Sequence, residues 1–217
     1  MSPLAKIFLP FVREVYATDE YIPLHAPKFS GNEKAYLSET IDSTYVSTVG
    51  EFVNRFEGAV ESYTGSAHAI ATVSGTSALH TALQLVGVQP GEEVLTQSLT
   101  FVATCNAIRY VGAEPVFIDV ERATLGMSPD SLKSFLEQHA EQRDDGACWN
   151  KMSNRIIRAC LPVHDLGHPV RIRDVSKLCQ QYGIELVEDS AESLGSCYDS
   201  IHTGLFGKIG VLSFNGN

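Results

Sequence analysis

Positive charge is scarce in this chain. Its 217 residues hold 16 Lys and Arg against 26 Asp and Glu, a formal net charge of -10. No segment concentrates the cations, which excludes a general nucleic-acid surface, because backbone phosphates are held by clustered Lys and Arg. An anionic ligand must instead be held by a few local groups. Cysteine is also sparse: Cys105, Cys148, Cys160, Cys179 and Cys197 are scattered without CxxC spacing. That pattern argues against zinc and dithiol chemistry, and an odd count points to free thiols in a reducing compartment, with the cytoplasm as the simplest location. Long apolar runs are missing too. The segment KIFLPFVREVY is interrupted by Pro10 and followed by charge, too short for a signal sequence or a membrane span, and it reads as a docking arm or a first helix. No GxGxxG opens a helix, which removes the dinucleotide-binding reading. Internal repeats and low-complexity tracts are absent.

What the chain does have is apolar material, 44% of its residues, enough for one substantial α/β domain or part of a larger one. Apolar, β-rich runs alternate with helical periodicity, the pattern of a mainly parallel sheet with helices on both faces. The runs 68–74, 93–98, 115–120, 155–164, 184–190 and 208–214 read as strands. Ala78, Leu79, Ala82, Leu83 and Val86 form one helical stripe, closed by Gly87, Pro90 and Gly91; Val102, Ala103, Ala107 and Val111 form another, and a third helix falls near 171–182. Residues 141–154 are polar and read as a surface excursion. The last strand and its glycine turn, KIGVLSFNGN, are followed by no closing helix, so the sequence is expected to be a piece of a longer protein.

Two blocks carry chemistry. VEDSAESLG (187–195) puts paired carboxylates at the end of a buried strand, and the C-terminal edge of a parallel strand faces the ligand crevice of an α/β fold. SGTSALHTAL (74–83) opens a helix on small residues, where free N–H groups and the positive dipole end can hold a phosphate. Taken alone, Ser74-Gly75-Thr76 is an ordinary capped turn and Asp189 a strand-end carboxylate. His164 ends a strand and should reach the same crevice, while His168 lies further out in a turn; no Cys completes a metal site beside them.

SGTSALHTAL, LTFVATCNAIRYVGAEPVFIDV, LPVHDLGHPVRI, VEDSAESLGS and VLSFNGN, in this order, resemble the DegT/DnrJ/EryC1/StrS family of pyridoxal-phosphate-dependent nucleotide-sugar aminotransferases. The likeness runs from about Ile22 to Asn217. The block IPLHAPKFSGNEKAYLSETIDSTYVSTVG further resembles the branch that aminates C4 of nucleotide-linked 4-keto-6-deoxy sugars, LegC-like or perosamine-synthase-like.

The resemblance implies the large domain of a type I aminotransferase, spanning 31–217 after an N-terminal arm at 1–30, with the C-terminal small domain lying outside this sequence. It also implies a homodimer with the active site shared between subunits, L-glutamate as amino donor, and bacterial surface amino-sugar biosynthesis as the setting. By the same resemblance Asp189 faces the pyridine nitrogen of pyridoxal 5′-phosphate, and Glu192 stands where relatives commonly carry Gln near the phenolic oxygen. Gly75, Thr76, Ser77 and Ser213 hold the phosphate, Phe101 stacks on the ring, and His164 lies beside it. The Schiff-base lysine is expected immediately after Asn217. Family members with histidine in place of that lysine are 3-dehydratases, and a non-catalytic regulatory member is the other alternative; the Asn215-Gly216-Asn217 turn favours the lysine branch.

Overall fold

The computed structural model describes residues 1–23 and 26–214. Two compact units are present, Met1–Glu39 and a larger one beginning at Thr40. The first contains α1 (Pro3–Tyr16), the helix expected near the N-terminus. Ser2 caps it by accepting from the Ala5 N–H, Pro3 occupies its first turn, and Ala17 closes it in the left-handed conformation. None of its residues is buried. The helix α2 (Glu33–Ser43) follows and carries the division between the units.

The larger unit continues with α3 (Glu51–Thr64), α4 (Gly75–Leu85), β1 (Glu93–Gln97), α5 (Val102–Tyr110), β2 (Glu114–Ile118), α6 (Pro129–His139), β3 (Ala140–Gln142), β4 (Cys148–Asn150), β5 (Arg155–Cys160), a 3₁₀ turn (Asp165–Gly167), α7 (Ile172–Tyr182), β6 (Glu185–Asp189), the small hairpin β7 (Cys197–Tyr198) and β8 (Ile201–His202), and β9 (Ile209–Val211). Five strands run in the order β2-β1-β5-β6-β9, every neighbouring pair parallel. At the start of β5 the antiparallel strands β4 and β3 extend the sheet. The polar stretch 141–154 is therefore a sheet-extending hairpin for part of its length rather than only a surface excursion.

Alternation along the strands decides the layering. Val94, Ala159, Leu161, Val187 and Val211 join Leu79, Leu83, Ala107 and Ile108 of α4 and α5 in one core. Leu95, Cys160 and Leu186 point the other way and join Leu132 and Leu136 of α6 and Val175 and Cys179 of α7 in a second. Successive side chains of a strand leave on opposite faces, so a sheet buried on both sides reads as continuous apolar runs. Truncating a residue such as Leu83, with no exposed surface, should cost about 2–5 kcal/mol.

The expected strand at 68–74 does not form. Its apolar content fits a strand, yet Ile70 and Val73 are 83% and 93% exposed. The N–H groups of Ala69 and Ala71 are taken by the carboxylates of Glu61 and Glu57 of α3, at 3.0 and 2.8 Å, in place of a strand ladder. A strand is defined by its partner, and among the described residues none pairs here. The helix α6 was not read from the sequence, although Ser128 caps it and Pro129 opens it. No helix of the described residues is long and apolar enough to cross a membrane.

Candidate active site

Parallel strands carry all their C-terminal ends to one edge of the sheet, and the functional residues read from the sequence gather there. Phe101 lies in the turn after β1, His164 follows β5, Asp189 ends β6, and Ser213 follows β9. The N-terminus of α4 reaches the same edge, because an ideal Cβ placed on Gly75 would lie 2.9 Å from Ser213 Cβ and 3.0 Å from Ser213 Oγ. Only glycine permits this approach. Ser213 thus stands at the mouth of α4, where first-turn N–H groups lack intrahelical acceptors. Ser74 Oγ takes the Ser77 N–H at 3.2 Å and lies 3.1 Å from Ser77 Oγ. The Ser77 N–H is therefore occupied as the helix cap, and the N–H groups left for an anion are those of Gly75 and Thr76.

Asp189 is 3% exposed. It sits centrally: its backbone N–H donates to Pro162 O at 3.0 Å and its carbonyl accepts from the His164 N–H at 3.1 Å. By strand alternation its side chain shares the face of Val187, under α4 and α5. Oδ2 accepts from the Thr104 hydroxyl at 2.7 Å and Oδ1 from the Ala191 N–H at 3.2 Å. Burial pushes its carboxyl above the usual range, and these two hydrogen bonds oppose the rise.

Glu188, one residue earlier, turns to the opposite face and is fully buried. Its Oε1 accepts from the Phe206 and Gly207 N–H groups at 2.6 and 2.7 Å, and its Oε2 from the Gly204 N–H at 2.9 Å. His164 Nε2 lies 3.0 Å from the same Oε2. His164 Nδ1 accepts from the Val170 N–H at 3.2 Å, so the ring proton sits on Nε2 and points at Glu188. His164 has no exposed surface and both ring nitrogens are engaged. The structure builds this ring into the scaffold under the crevice, tying the loop before β9 to β5, instead of presenting it beside a ligand as the sequence had led us to expect.

Phe101 is 73% exposed, unlike a core phenylalanine, and caps α5 from the crevice side. Glu192 is exposed and its Oε2 accepts from the Leu166 N–H at 2.7 Å. Asp165 is a site group the sequence reading passed over as part of a turn. Its Oδ2 accepts from Gln97 Nε2 at 2.6 Å, and the buried Gln97 amide is fixed in turn by the Met127 and Val163 N–H groups. Burial raises the Asp165 carboxyl from 3.8 to about 6; the Gln97 hydrogen bond opposes this, and the charges of Glu192 and Asp189 add to it. Thr104 and Asp165 were missed because their partners are remote in sequence. Glu188 was read only as one of the paired carboxylates, and strand alternation was the signal that separates its role from that of Asp189.

Residues 27–217 match the DegT/DnrJ/EryC1/StrS aminotransferase family. The chain belongs to this family. Among its relatives, the putative pyridoxal phosphate-dependent aminotransferase EpsN of Bacillus subtilis (strain 168) is 40% identical over 90% of this chain and 48% of its own length. A GDP-perosamine synthase of Escherichia coli O157:H7 is 34% identical over 91% of this chain and 50% of its own. Among solved structures, DesI in the presence of its TDP-sugar product superposes with a TM-score of 0.76 at 28% identity, over 92% of this chain and 47% of that one. The fold is accordingly the mainly parallel large-domain architecture of these aminotransferases. The chain spans about half the length of the family members it matches.

Proposed function

We propose that this chain forms the cofactor-binding part of a pyridoxal-phosphate-dependent aminotransferase acting on nucleotide-linked sugars. Its reaction is amination of C4 of a 4-keto-6-deoxyhexose, N-acetylated at C2, with L-glutamate as donor, for bacterial surface amino sugars. The observation that carries this reading is the meeting, at one sheet edge, of a buried carboxylate to which, among the described residues, no Lys or Arg is hydrogen-bonded and a helix mouth kept open by Gly75 against Ser213. The names of the relatives support the sugar-nucleotide class. A homodimer with shared sites and a cytoplasmic location complete the proposal.

The donor set suits the cofactor. Backbone N–H groups and hydroxyls at a helix N-terminus hold a phosphate without cationic side chains, as an acidic protein requires. When bound, pyridoxal phosphate supplies an electron sink whose strength depends on a protonated ring nitrogen. Asp189, buried and acceptor-only when ionised, would hold that proton through a charge-assisted hydrogen bond. Gly75, Thr76 and Ser213 would fix the phosphate, and the exposed Phe101 ring would set the tilt of the pyridine by stacking. Glu192, steered by the Leu166 N–H, would stand toward the phenolic oxygen. His164 and Glu188 would position the loop entering β9. The attaching lysine is proposed to follow Asn217; the turn Asn215-Gly216-Asn217 before it lies outside the described residues.

The test incubates the full-length gene product with glutamate and, separately, UDP-linked and GDP-linked 4-keto-6-deoxy sugars. Stoichiometric 2-oxoglutarate with a keto-to-amine mass change is expected from one of them. Loss of the C3 oxygen would make the protein a dehydratase. Reaction only with a 3-keto sugar would refute the C4 assignment while leaving the cofactor reading intact.

A further inference from the structure

Asp189 is held by a side chain that neither the sequence motifs nor the family match singles out. Thr104, on the first turn of α5, is 1% exposed and donates to Asp189 Oδ2 at 2.7 Å. Its own oxygen lies 2.7 Å from Thr100 Oγ1. An ionised carboxylate only accepts, so the Thr104 proton is committed to Asp189 and Thr104 must accept from Thr100. The hydrogen bonds then run in one direction, Thr100 to Thr104 to Asp189. Each hydroxyl in such a chain polarises the next, and donation to a charged acceptor is about twice as strong as donation to a neutral one. The protonated alternative reverses the chain, with Thr100 turning its proton to the Phe101 carbonyl at 3.2 Å, and loses that charge assistance.

We propose that Thr104, backed by Thr100, is a positioning residue for the cofactor chemistry: it holds Asp189 ionised and in one rotamer, ready for a protonated heteroaromatic nitrogen. This rests on the functional reading given above. Of the other charged or titratable groups around Asp189, His164 alone acts in the same direction, and it does so through space, without a hydrogen bond to the carboxylate. Glu192, from the loop after β6, is a like charge. Asp165, in the 3₁₀ turn, interacts with Asp189 as a second carboxyl. His164, after β5, commits its ring proton to Glu188. The Thr104 hydroxyl and the Ala191 N–H are therefore the neutral donors that oppose the burial of this carboxylate.

The experiment measures, across pH, the affinity of the full-length protein for pyridoxal 5′-phosphate and for its 1-deaza analogue, in which CH replaces the ring nitrogen. Thr104→Val keeps the shape and removes the donor. It should lower the preference for the nitrogen-bearing cofactor about tenfold, the worth of a hydrogen bond to a charged group, and move the acid limb of cofactor binding to higher pH. Thr104→Ser should restore both, and Thr100→Val should give a smaller change of the same sign. Equal weakening of both cofactors by Thr104→Val would show a packing role and overturn the proposal, as would an unchanged ratio in a variant that melts like wild type. A wild-type protein that binds neither cofactor would remove the functional reading and this inference together.

Discussion

The two edges of the parallel sheet treat the same side chain in opposite ways. At the N-terminal edge, Glu92 is 8% exposed and gripped by Arg158 through both guanidinium positions, at 2.7 to 3.2 Å. Glu114 pairs with Arg109 and Arg155, and the Arg109 guanidinium holds its carboxyl below the usual range. At the C-terminal edge, Asp165, Asp189 and Glu192 are met by an amide, a hydroxyl and backbone N–H groups, and the first two carboxyls are pushed up. A carboxylate paired within the chain is finished with its chemistry. One kept beside like charges, with neutral donors only, retains acceptor capacity for a cationic partner brought by a ligand.

The largest expected effect comes from removing that capacity. Asp189→Asn should lower amination by the full-length protein by about 10²–10³-fold or more, with the melting temperature held or raised. Near-normal turnover in a cofactor-loaded variant would erase the contrast between the edges. Thr76→Ala should be milder and different in kind. Cofactor retention, followed by dialysis and absorbance, should weaken about tenfold, while turnover at saturating cofactor stays near wild type, because the phosphate is a remote anchor.

On the opposite edge the expected effect is on stability alone. Arg158→Ala leaves Glu92 poorly solvated and without its cationic partner, although the Gln89 N–H still donates to it at 2.9 Å, and should cost about 1–3 kcal/mol in urea denaturation, toward the low end because the Arg158 side chain is 34% exposed. Cofactor affinity should not move; a large drop would mean that the edges are coupled. The smallest effect belongs to Asp165→Asn. In the folded protein the Asp165 carboxyl binds its proton up to about pH 6, against an ordinary 3.8. The native state therefore holds more protons between these values, and the Asp165 contribution to stability falls as pH rises through the window. The Asn variant can still accept from Gln97, and should melt slightly above wild type at pH 7 and level with it near pH 4. A variant less stable at pH 7 would show that the carboxylate has a partner there after all.

How much of this was legible follows from the range of each interaction. The strands β1, β2, β5 and β6 and the helices α4, α5 and α7 announce themselves through periodicity, because burial on one face or both is written locally. The extended run at 68–74 has the composition of a strand, but composition cannot supply a partner. The β3–β4 hairpin was hidden for the converse reason: its strands are three residues each, too short to show a period, and β4 pairs with the start of β5 only in three dimensions.

The sequence by itself determined the family, the mainly parallel sheet with helices on both faces, and the two blocks whose residues converge on one edge. It could do so because those blocks are contiguous, and strand-end position implies an edge. Tertiary structure alone decided which neighbour each side chain meets. It brought the His164 ring to Glu188, 24 residues on, set Gly75 against Ser213, and brought Thr104 to a carboxylate 85 residues away. Those outcomes depend on contacts between distant segments, and a hydrogen bond of that kind is fixed only once the layers have packed.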